Sequence, residues 1–327
     1  MLASAAVQVI PGYGPLAQIG AGGSAVVYRA EQEGLARQVA LKVLAAPSLD
    51  AKTDKRFSRE SRALGSLGWH PNIVVLYDVG TTPAGAPYIA MEHLSGGSLA
   101  DLGPMDPPDV TSIGIKIAGA LHCAHEAGVL HRDVKPANIL RSPLGEPKLA
   151  DFGISGLVDA THTTGGGMTL DHVAPEVVDG RQASVSSDVY SLASTLYELA
   201  TGRSPFAGAA PEAMVALLLR ILDAPVPDCR HLGIPDALAT VLEQGLSKDP
   251  AARPDAAAFG RTLQQVQRRH AWAHTDLPLP PGDGGTRAPA PPASTAPQPR
   301  SPHAPPPPAA GHTIPMDQVR DPRDYRS

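Results

Sequence analysis

The apolar residues of this chain change period near Gly96, and that change constrains the fold more than any other feature. From about Leu16 to His93 they come in short strand-like runs: Val26-Val27-Tyr28, Val39 to Leu44, Ile73 to Val79 and Tyr88 to Glu92. One helical stretch, roughly Lys52 to Leu67, interrupts them. From about Gly96 to His270 the repeat is helical. Val110, Ile113, Ile117, Leu121 and Ala124 form one stripe, ending at Gly128. Val189, Leu192, Ala193, Leu196, Leu199 and Ala200 form a stronger one, ending at Gly202. This order predicts an α+β molecule of two lobes: a small β-rich lobe with one key helix, then a larger, mainly helical lobe. A ligand site is expected in the cleft between them.

The C-terminal residues follow neither period. Ala273 to Ser327, 55 residues, hold 15 of the 35 prolines, with Ala, Gly and Ser filling most of the rest. Such a segment buries too little apolar surface to offset its ordering entropy, so a disordered, partly polyproline II tail is expected over 273–327. It reads as a passive spacer or, through pieces such as Pro302-His303-Ala304-Pro305, as a docking segment for a partner.

The 43% apolar content suffices for a packed core, and a net charge of -5 gives no basic footprint for nucleic acid. No run of eighteen or more apolar residues predicts a transmembrane helix. Residues 1–12 form an N-terminal extension without the basic start or cleavage site of a signal peptide. None of the twelve histidines has zinc-type spacing with the cysteines. Those number two, Cys123 and Cys229, and read as reduced thiols. The expected location is the cytoplasm.

Four constellations carry chemistry. In His131-Arg132-Asp133-Val134-Lys135-Pro136-Ala137-Asn138, Asp133 is suited to orient a hydroxyl and accept its proton. Lys135 is suited to neutralise a moving phosphoryl group, and Asn138 to hold magnesium. Ile19-Gly20-Ala21-Gly22-Gly23-Ser24-Ala25-Val26-Val27-Tyr28 is a glycine-rich turn entering a strand. It is either a plain hairpin or a loop whose amides approach phosphates. The strand after it argues against a dinucleotide-binding Rossmann turn, and the lack of Gly-Lys-Ser or Gly-Lys-Thr against a Walker loop. Lys42 shares a strand face with Ala40 and Leu44, so it either snorkels at the strand edge or meets an anion. Glu60, three residues after Phe57 and four before Leu64, lies on the inward stripe of its helix. Either charge buried alone would cost on the order of 3–5 kcal/mol, so Lys42 and Glu60 are expected to pair. Finally, Asp151-Phe152-Gly153 follows the short strand Lys148-Leu149-Ala150 and offers hard oxygen to a hard cation.

Taken in order and spacing, these motifs make about Tyr13 to His270 similar to a eukaryotic-type (Hanks-type) serine/threonine protein kinase, of the soluble form widespread in actinobacteria. The resemblance implies a bilobal protein-kinase fold, with a kinase domain over 13–272 divided at about 13–94 and 95–272. It implies a non-specific serine/threonine protein kinase that moves the γ-phosphoryl group of ATP to protein serine and threonine hydroxyls in bacterial signal transduction. Gly20, Ala21, Gly22 and Val27 would cover ATP, and Ala40 would touch the adenine. Lys42 would bind the α and β phosphates while paired with Glu60. Met91 would be the gatekeeper, Glu92 to Leu94 the hinge along the adenine edge, and Leu140 the pocket floor. Asp133 would be the catalytic base with Lys135 assisting. Asn138 and Asp151 would hold Mg2+, with Mn2+ as a substitute. Glu176 of Ala174-Pro175-Glu176 would pair with Arg253, and Asp188 would tether the catalytic loop backbone. Leu64, Leu76, His131 and Phe152 would stack between the lobes.

Arg132 in such proteins commonly meets a phosphorylated residue. Thr161, Thr163 and Thr164 are the expected autophosphorylation sites, where a phosphate adds about -1.5 to -2 charge. Three positions depart from the family pattern: Ala25 for the loop's third glycine, Met168 for a glycine and His172 for an aromatic residue. The last two put the protein-substrate platform in question more than the ATP site. A nucleotide-sensing pseudokinase and a small-molecule kinase of the aminoglycoside type are the competing readings. The first is disfavoured by the complete catalytic set. The second is disfavoured by Lys135 and the Ala-Pro-Glu segment.

Overall fold

The computed structural model describes residues 9–22, 25–45, 51–152, 170–208 and 214–280. Thr161, Thr163 and Thr164, the loop residues Gly23 and Ser24, and the proline-rich residues from 281 onward lie outside the described residues.

Five strands form an antiparallel sheet: β1 (Ala17–Ala21), β2 (Ala25–Gln32), β3 (Arg37–Leu44), β4 (Leu76–Thr81) and β5 (Pro87–Glu92), in the order β1-β2-β3-β5-β4. Period-two alternation sorts their side chains onto two faces. On one, Val39, Leu41 and Val43 join Ile10, Tyr13, Tyr88 and Ala90 in a small core. Ile10 is buried there, so part of the span read as an extension packs into the sheet's core. On the other face, register puts Val27 opposite Lys42, Lys42 opposite Ile89, and Ala40 opposite Met91. The expected strand over Ile73 to Val79 starts only at Leu76. Ile73 makes a parallel bridge to Leu149 of the other lobe instead.

Helix α1 (Ala51–Gly65) crosses this second face and buries Phe57, Glu60 and Leu64. The helical lobe holds α2 (Pro107–Glu126), α3 (Pro175–Val178), α4 (Val185–Thr201), α5 (Met214–Asp223), α6 (Asp236–Gly245) and α7 (Ala256–Arg269). The two-stranded ribbon β6 (Ile139–Arg141) and β7 (Pro147–Leu149) lies between α2 and α3 in sequence. Local chemistry marks the helix ends. Proline opens α2, Ser184 and Ser187 form a reciprocal cap on α4, and Asp255 accepts from the Ala258 amide at 2.7 Å to open α7; each such cap is worth about 1 kcal/mol. Gly128 (φ 74°) and Gly202 (φ 84°) end α2 and α4 in the left-handed region, where both stripes were expected to stop.

Helix α2 is not the half-exposed element its stripe suggests. Ile115, Ala118, Gly119 and Ala120 are buried as well. Long-range packing encloses it: α4, α7 and β7 lie against it, and so does the chain after α7. The expected boundary at 272 therefore moves. Residues 273–280 are ordered against the helical lobe, and the compact unit runs to Pro280.

Candidate active site

Pairing of β6 with β7 sets Ile139 opposite Leu149, which brings the residues flanking the ribbon together. The Ala150 amide donates to the Asn138 carbonyl at 2.8 Å, placing Asn138 beside Asp151. The Asn138 side-chain amide donates to the Asp133 carbonyl at 2.7 Å and to Asp133 Oδ2 at 2.9 Å. With its nitrogen so engaged, the Asn138 side-chain oxygen is the free donor atom for a cation. Lys135 Nζ lies 2.9 Å from the same Asp133 Oδ2. Asp133, Lys135, Asn138 and Asp151 thus meet at one junction, as their motifs predict.

Two residues here hold backbone angles that ordinary side chains avoid, Arg132 at φ 68° and Asp151 at φ 57°. Such strain, about 1–3 kcal/mol each, persists only where surroundings over-determine it. Asp188, 1% exposed, supplies that constraint on Arg132. Its carboxylate accepts the His131 and Arg132 amides, each at 2.8 Å, and contacts His125 Nε2 at 2.9 Å. The tether through Asp188 matches expectation. The part played by His125 was not foreseen, because a histidine near a helix end carries no local signal of a partner 63 residues away.

His131 is fully buried. Its Nδ1 accepts from the Asp133 amide at 3.3 Å, so the ring proton sits on Nε2 and donates to the Ala150 carbonyl at 2.8 Å. Burial pushes its pKa down, outweighing Asp188 and its other partners, and the ring stays neutral. Its centroid lies 4.7 Å from that of Phe152. Phe152, Leu64 and Leu76 line one cavity with Lys42, Ile89 and Met91, joining the lobes through apolar contact. This cavity lies on the inner side of Met91. Val27, Ala40, Leu94 and Leu140, expected around the adenine, are not on its wall.

The ion pairing differs from the expected one. Lys42 Nζ lies 3.2 Å from Asp151 Oδ1, while Glu60 meets Arg56 at 3.3 Å and Arg132 Nη1 at 3.4 Å. Lys42 and Glu60 therefore both face the cleft, as their faces predict, without pairing to each other. Three cations, Lys42, Arg56 and Arg132, meet two carboxylates, and each carboxylate is compensated by a partner other than the expected one. Sequence period places each side chain on a face but does not choose among partners that share it.

Glu92 in the expected hinge binds Lys148 Nζ at 2.7 Å, tying β5 to β7 across the lobes. Sequence reasoning missed Lys148. Its position one residue from a buried strand end was the available signal. The Glu92 amide donates to the Val75 carbonyl at 2.9 Å, which fixes the backbone at the start of the expected hinge. Gly20 and Ala21 pair with Val27 and Val26, and the Gly22 amide donates to the Ala25 carbonyl, so β1 and β2 form a hairpin up to Gly22 and Ala25.

Below the site, Glu176 and Arg253 form a buried two-pronged pair at 2.7 and 2.8 Å, and Ser187 adds a third bond at 2.8 Å. Burial alone would raise the Glu176 pKa. The bonds from Arg253 and Ser187 outweigh it and hold the carboxyl below its ordinary value. His172, in place of an aromatic residue, is buried, with Nδ1 2.8 Å from Ser194 Oγ and Nε2 3.1 Å from Glu198. A polar network thus anchors that stretch to α4.

Among the described residues, no helix is long and apolar enough to cross a membrane, and no cluster of three or more His, Cys, Asp or Glu forms a metal site of its own. The profile of the protein kinase domain family matches residues 13–264. The chain is 42% identical over 276 residues to the serine/threonine-protein kinase PknK of Mycobacterium tuberculosis, an alignment covering 82% of this chain and 25% of PknK. It is 39% identical over 272 residues to the DNA damage-responsive serine/threonine-protein kinase RqkA of Deinococcus radiodurans, covering 80% of this chain and 40% of RqkA. The chain thus spans between a quarter and two-fifths of these curated relatives. Among solved structures, the Mycobacterium tuberculosis PknI kinase domain superposes with a TM-score of 0.62 at 27% identity, over 80% of this chain and 99% of that one.

Proposed function

From the fact that this chain belongs to the protein kinase domain family, we propose that it is a bacterial serine/threonine protein kinase, transferring the γ-phosphoryl group of ATP to hydroxyls of protein substrates. The observation that carries the reading is the convergence of Asp133, Lys135, Asn138 and Asp151 at one junction facing Lys42. Catalysis at such a site is positioning plus electrostatics. Asp133, oriented by the Asn138 amide, aligns the substrate hydroxyl and accepts its proton. Lys135, already beside Asp133, offsets negative charge on the group in transit. Lys42 holds the nucleotide's phosphates, and Gly20, Ala21, Gly22 and Val27 cover them. The Glu92 carbonyl and Leu94 backbone read the adenine edge between Ala40 and Leu140, with Met91 behind.

Family membership implies ATP and a divalent metal. The free Asn138 side-chain oxygen and the Asp151 carboxylate suit a hard cation, and magnesium is the metal proposed, with manganese as a substitute. When bound, the metal neutralises phosphate charge. In the nucleotide-bound form we place Lys42 on Glu60, with Asp151 released from Lys42. That exchange frees Arg132 from Glu60 to receive a phosphate on Thr161, Thr163 or Thr164. The catalytic unit is proposed to run from about Tyr13 to Pro280. A cytoplasmic setting and a partner for the proline-rich residues belong to the same reading, the former supported by two unbridged cysteines.

The test is radiolabel transfer from MgATP to a generic basic protein, by the wild type and by Asp133→Asn. Transfer by the wild type is expected. Asp133→Asn is expected to lose it while binding nucleotide with affinity within a few-fold. Equal turnover by both would remove Asp133 from its role.

A further inference from the structure

After α7 the chain folds back as a strap across the groove between α2 and α7. Its seat is built for it. A Cβ on Gly260 of α7 would lie 2.6 Å from Leu277 Cδ1, and a Cβ on Gly119 of α2 would lie 2.6 Å from the Pro278 carbonyl oxygen. At Gly119 the obstacle is backbone, so only glycine fits while the strap is down; at Gly260 the Leu277 side chain would have to shift. Polar contacts fix its register. Thr275 donates its amide to Gln267 Oε1 at 3.0 Å, its Oγ1 accepts from Gln267 Nε2 at 2.9 Å and bonds Ser112 Oγ at 3.0 Å, and its carbonyl accepts from Gln264 Nε2 at 2.9 Å.

The strap ends on the loop that joins α1 to β4. His70, 1% exposed, stands in that loop. Its Nδ1 accepts from the Asn72 amide at 3.1 Å, so its proton is on Nε2 and points at the Pro278 carbonyl, 3.2 Å away. Asn72 continues the connection. Its side chain donates to the Pro147 carbonyl at 2.8 Å, and its own carbonyl accepts the Leu149 amide at 2.8 Å. Pro147 and Leu149 bound β7, and Asp151 follows two residues later. An unbroken line of hydrogen bonds thus runs from residue 278 to the strand that leads into Asp151. It passes the base of α1, which carries Glu60.

We propose that residues 272–280 are a positioning strap for the nucleotide site, acting through His70 and Asn72 on β7 and α1. None of these residues touches the nucleotide; they are positioning residues. The inference rests on the reading of Asp151 and Glu60 as nucleotide-site residues, so its test includes a measurement that does not use activity.

The full chain is compared with Leu277→Asp, which places a carboxylate in the apolar seat, and with Gly119→Ala, which pushes on the Pro278 carbonyl while leaving the Leu277 seat intact. His70→Ala and His70→Gln complete the set, since Gln keeps an N–H for Pro278. Hydrogen–deuterium exchange is followed at 66–75, 147–152 and 272–280, with ATP KM and kcat measured in parallel. Release of the strap is expected to speed exchange at both 66–75 and 147–152 at least threefold and to raise ATP KM at least threefold, with kcat changed less than KM. His70→Ala should reproduce the effect, and His70→Gln should restore KM to within about twofold of wild type. Faster exchange at 272–280 with unchanged exchange at 66–75 and 147–152 and unchanged KM would reduce the strap to a passive cover. Should Leu277→Asp fail to fold, Gly119→Ala and the His70 pair decide the matter. A wild type that transfers no phosphate would overturn the proposed function, while the exchange data still judge the strap.

Discussion

Replacing Arg253 by Met would strand a buried carboxylate. Arg253 has no exposed side-chain surface and Glu176 only 6%. Two charge-assisted bonds, at 2.7 and 2.8 Å, disappear together, while Ser187 Oγ still donates to Glu176. Breaking a buried pair from one side costs about 3–5 kcal/mol, because the remaining charge loses its compensation. For a domain of this size each kcal/mol lowers Tm by about 2–4 °C, so a fall of roughly 6–20 °C is expected. Urea titration of wild type, Arg253→Met, Glu176→Leu and the double variant gives the coupling directly. The double variant, with no stranded charge, should recover roughly half the loss. The acid limb adds a second reading. In the wild type the folded Glu176 pKa is depressed, so the pair's stabilisation is present above the ordinary carboxylate pKa and is lost as pH falls through the folded value. In Arg253→Met the arginine bonds that oppose burial are gone, so the Glu176 pKa rises relative to the wild type and the penalty should shrink as the pH is lowered. A cost below about 1 kcal/mol, the worth of an exposed pair, together with an unchanged acid limb, would refute the reasoning.

Three further outcomes are expected. His131 and His70 both have pKa values lowered by burial, so the unfolded chain binds more protons below the free-imidazole value of about 6.5. Their stabilisation is complete above that value and declines as pH falls toward the depressed folded values, by up to about 1.4 kcal/mol per pH unit for each group. Urea midpoints that do not move between pH 7.5 and 5.5 would contradict both neutral tautomers. Glu60→Gln removes the carboxylate proposed to hold Lys42 on the phosphates, and kcat/KM for ATP should fall by about 10²-fold. Unchanged kinetics would mean that Lys42 is positioned without it. Incubation with MgATP should place phosphate on Thr161, Thr163 or Thr164 in the wild type and not in Asp133→Asn, as read by peptide mass spectrometry. A wild type active on added substrate yet bare at all three would remove the autophosphorylation reading.

What was legible in the sequence was whatever a local pattern can express. Alternation placed Lys42 on the face of Ala40 and Leu44, and helical spacing turned Glu60 inward. The close spacing of Asp133, Lys135 and Asn138 confined them to one turn. Gly128 and Gly202 announced helix ends because only a left-handed backbone angle was needed there, and glycine adopts it without strain.

The tertiary structure decided what depends on which groups arrive at the same place. It matched Lys42 with Asp151 and Glu60 with Arg56 and Arg132, a choice among five charges that periodicity does not make. It brought His125 to Asp188 and Lys148 to Glu92 across separations of 63 and 56 residues. It also turned Thr275 to Pro278, residues with little reason to order by themselves, into a packed strap. The groove that receives them exists only when α2 and α7 lie side by side with glycine on each. Local sequence sets the conformation and facing of each segment. Pairing energy is set by distance and burial, and these arise only when the segments pack.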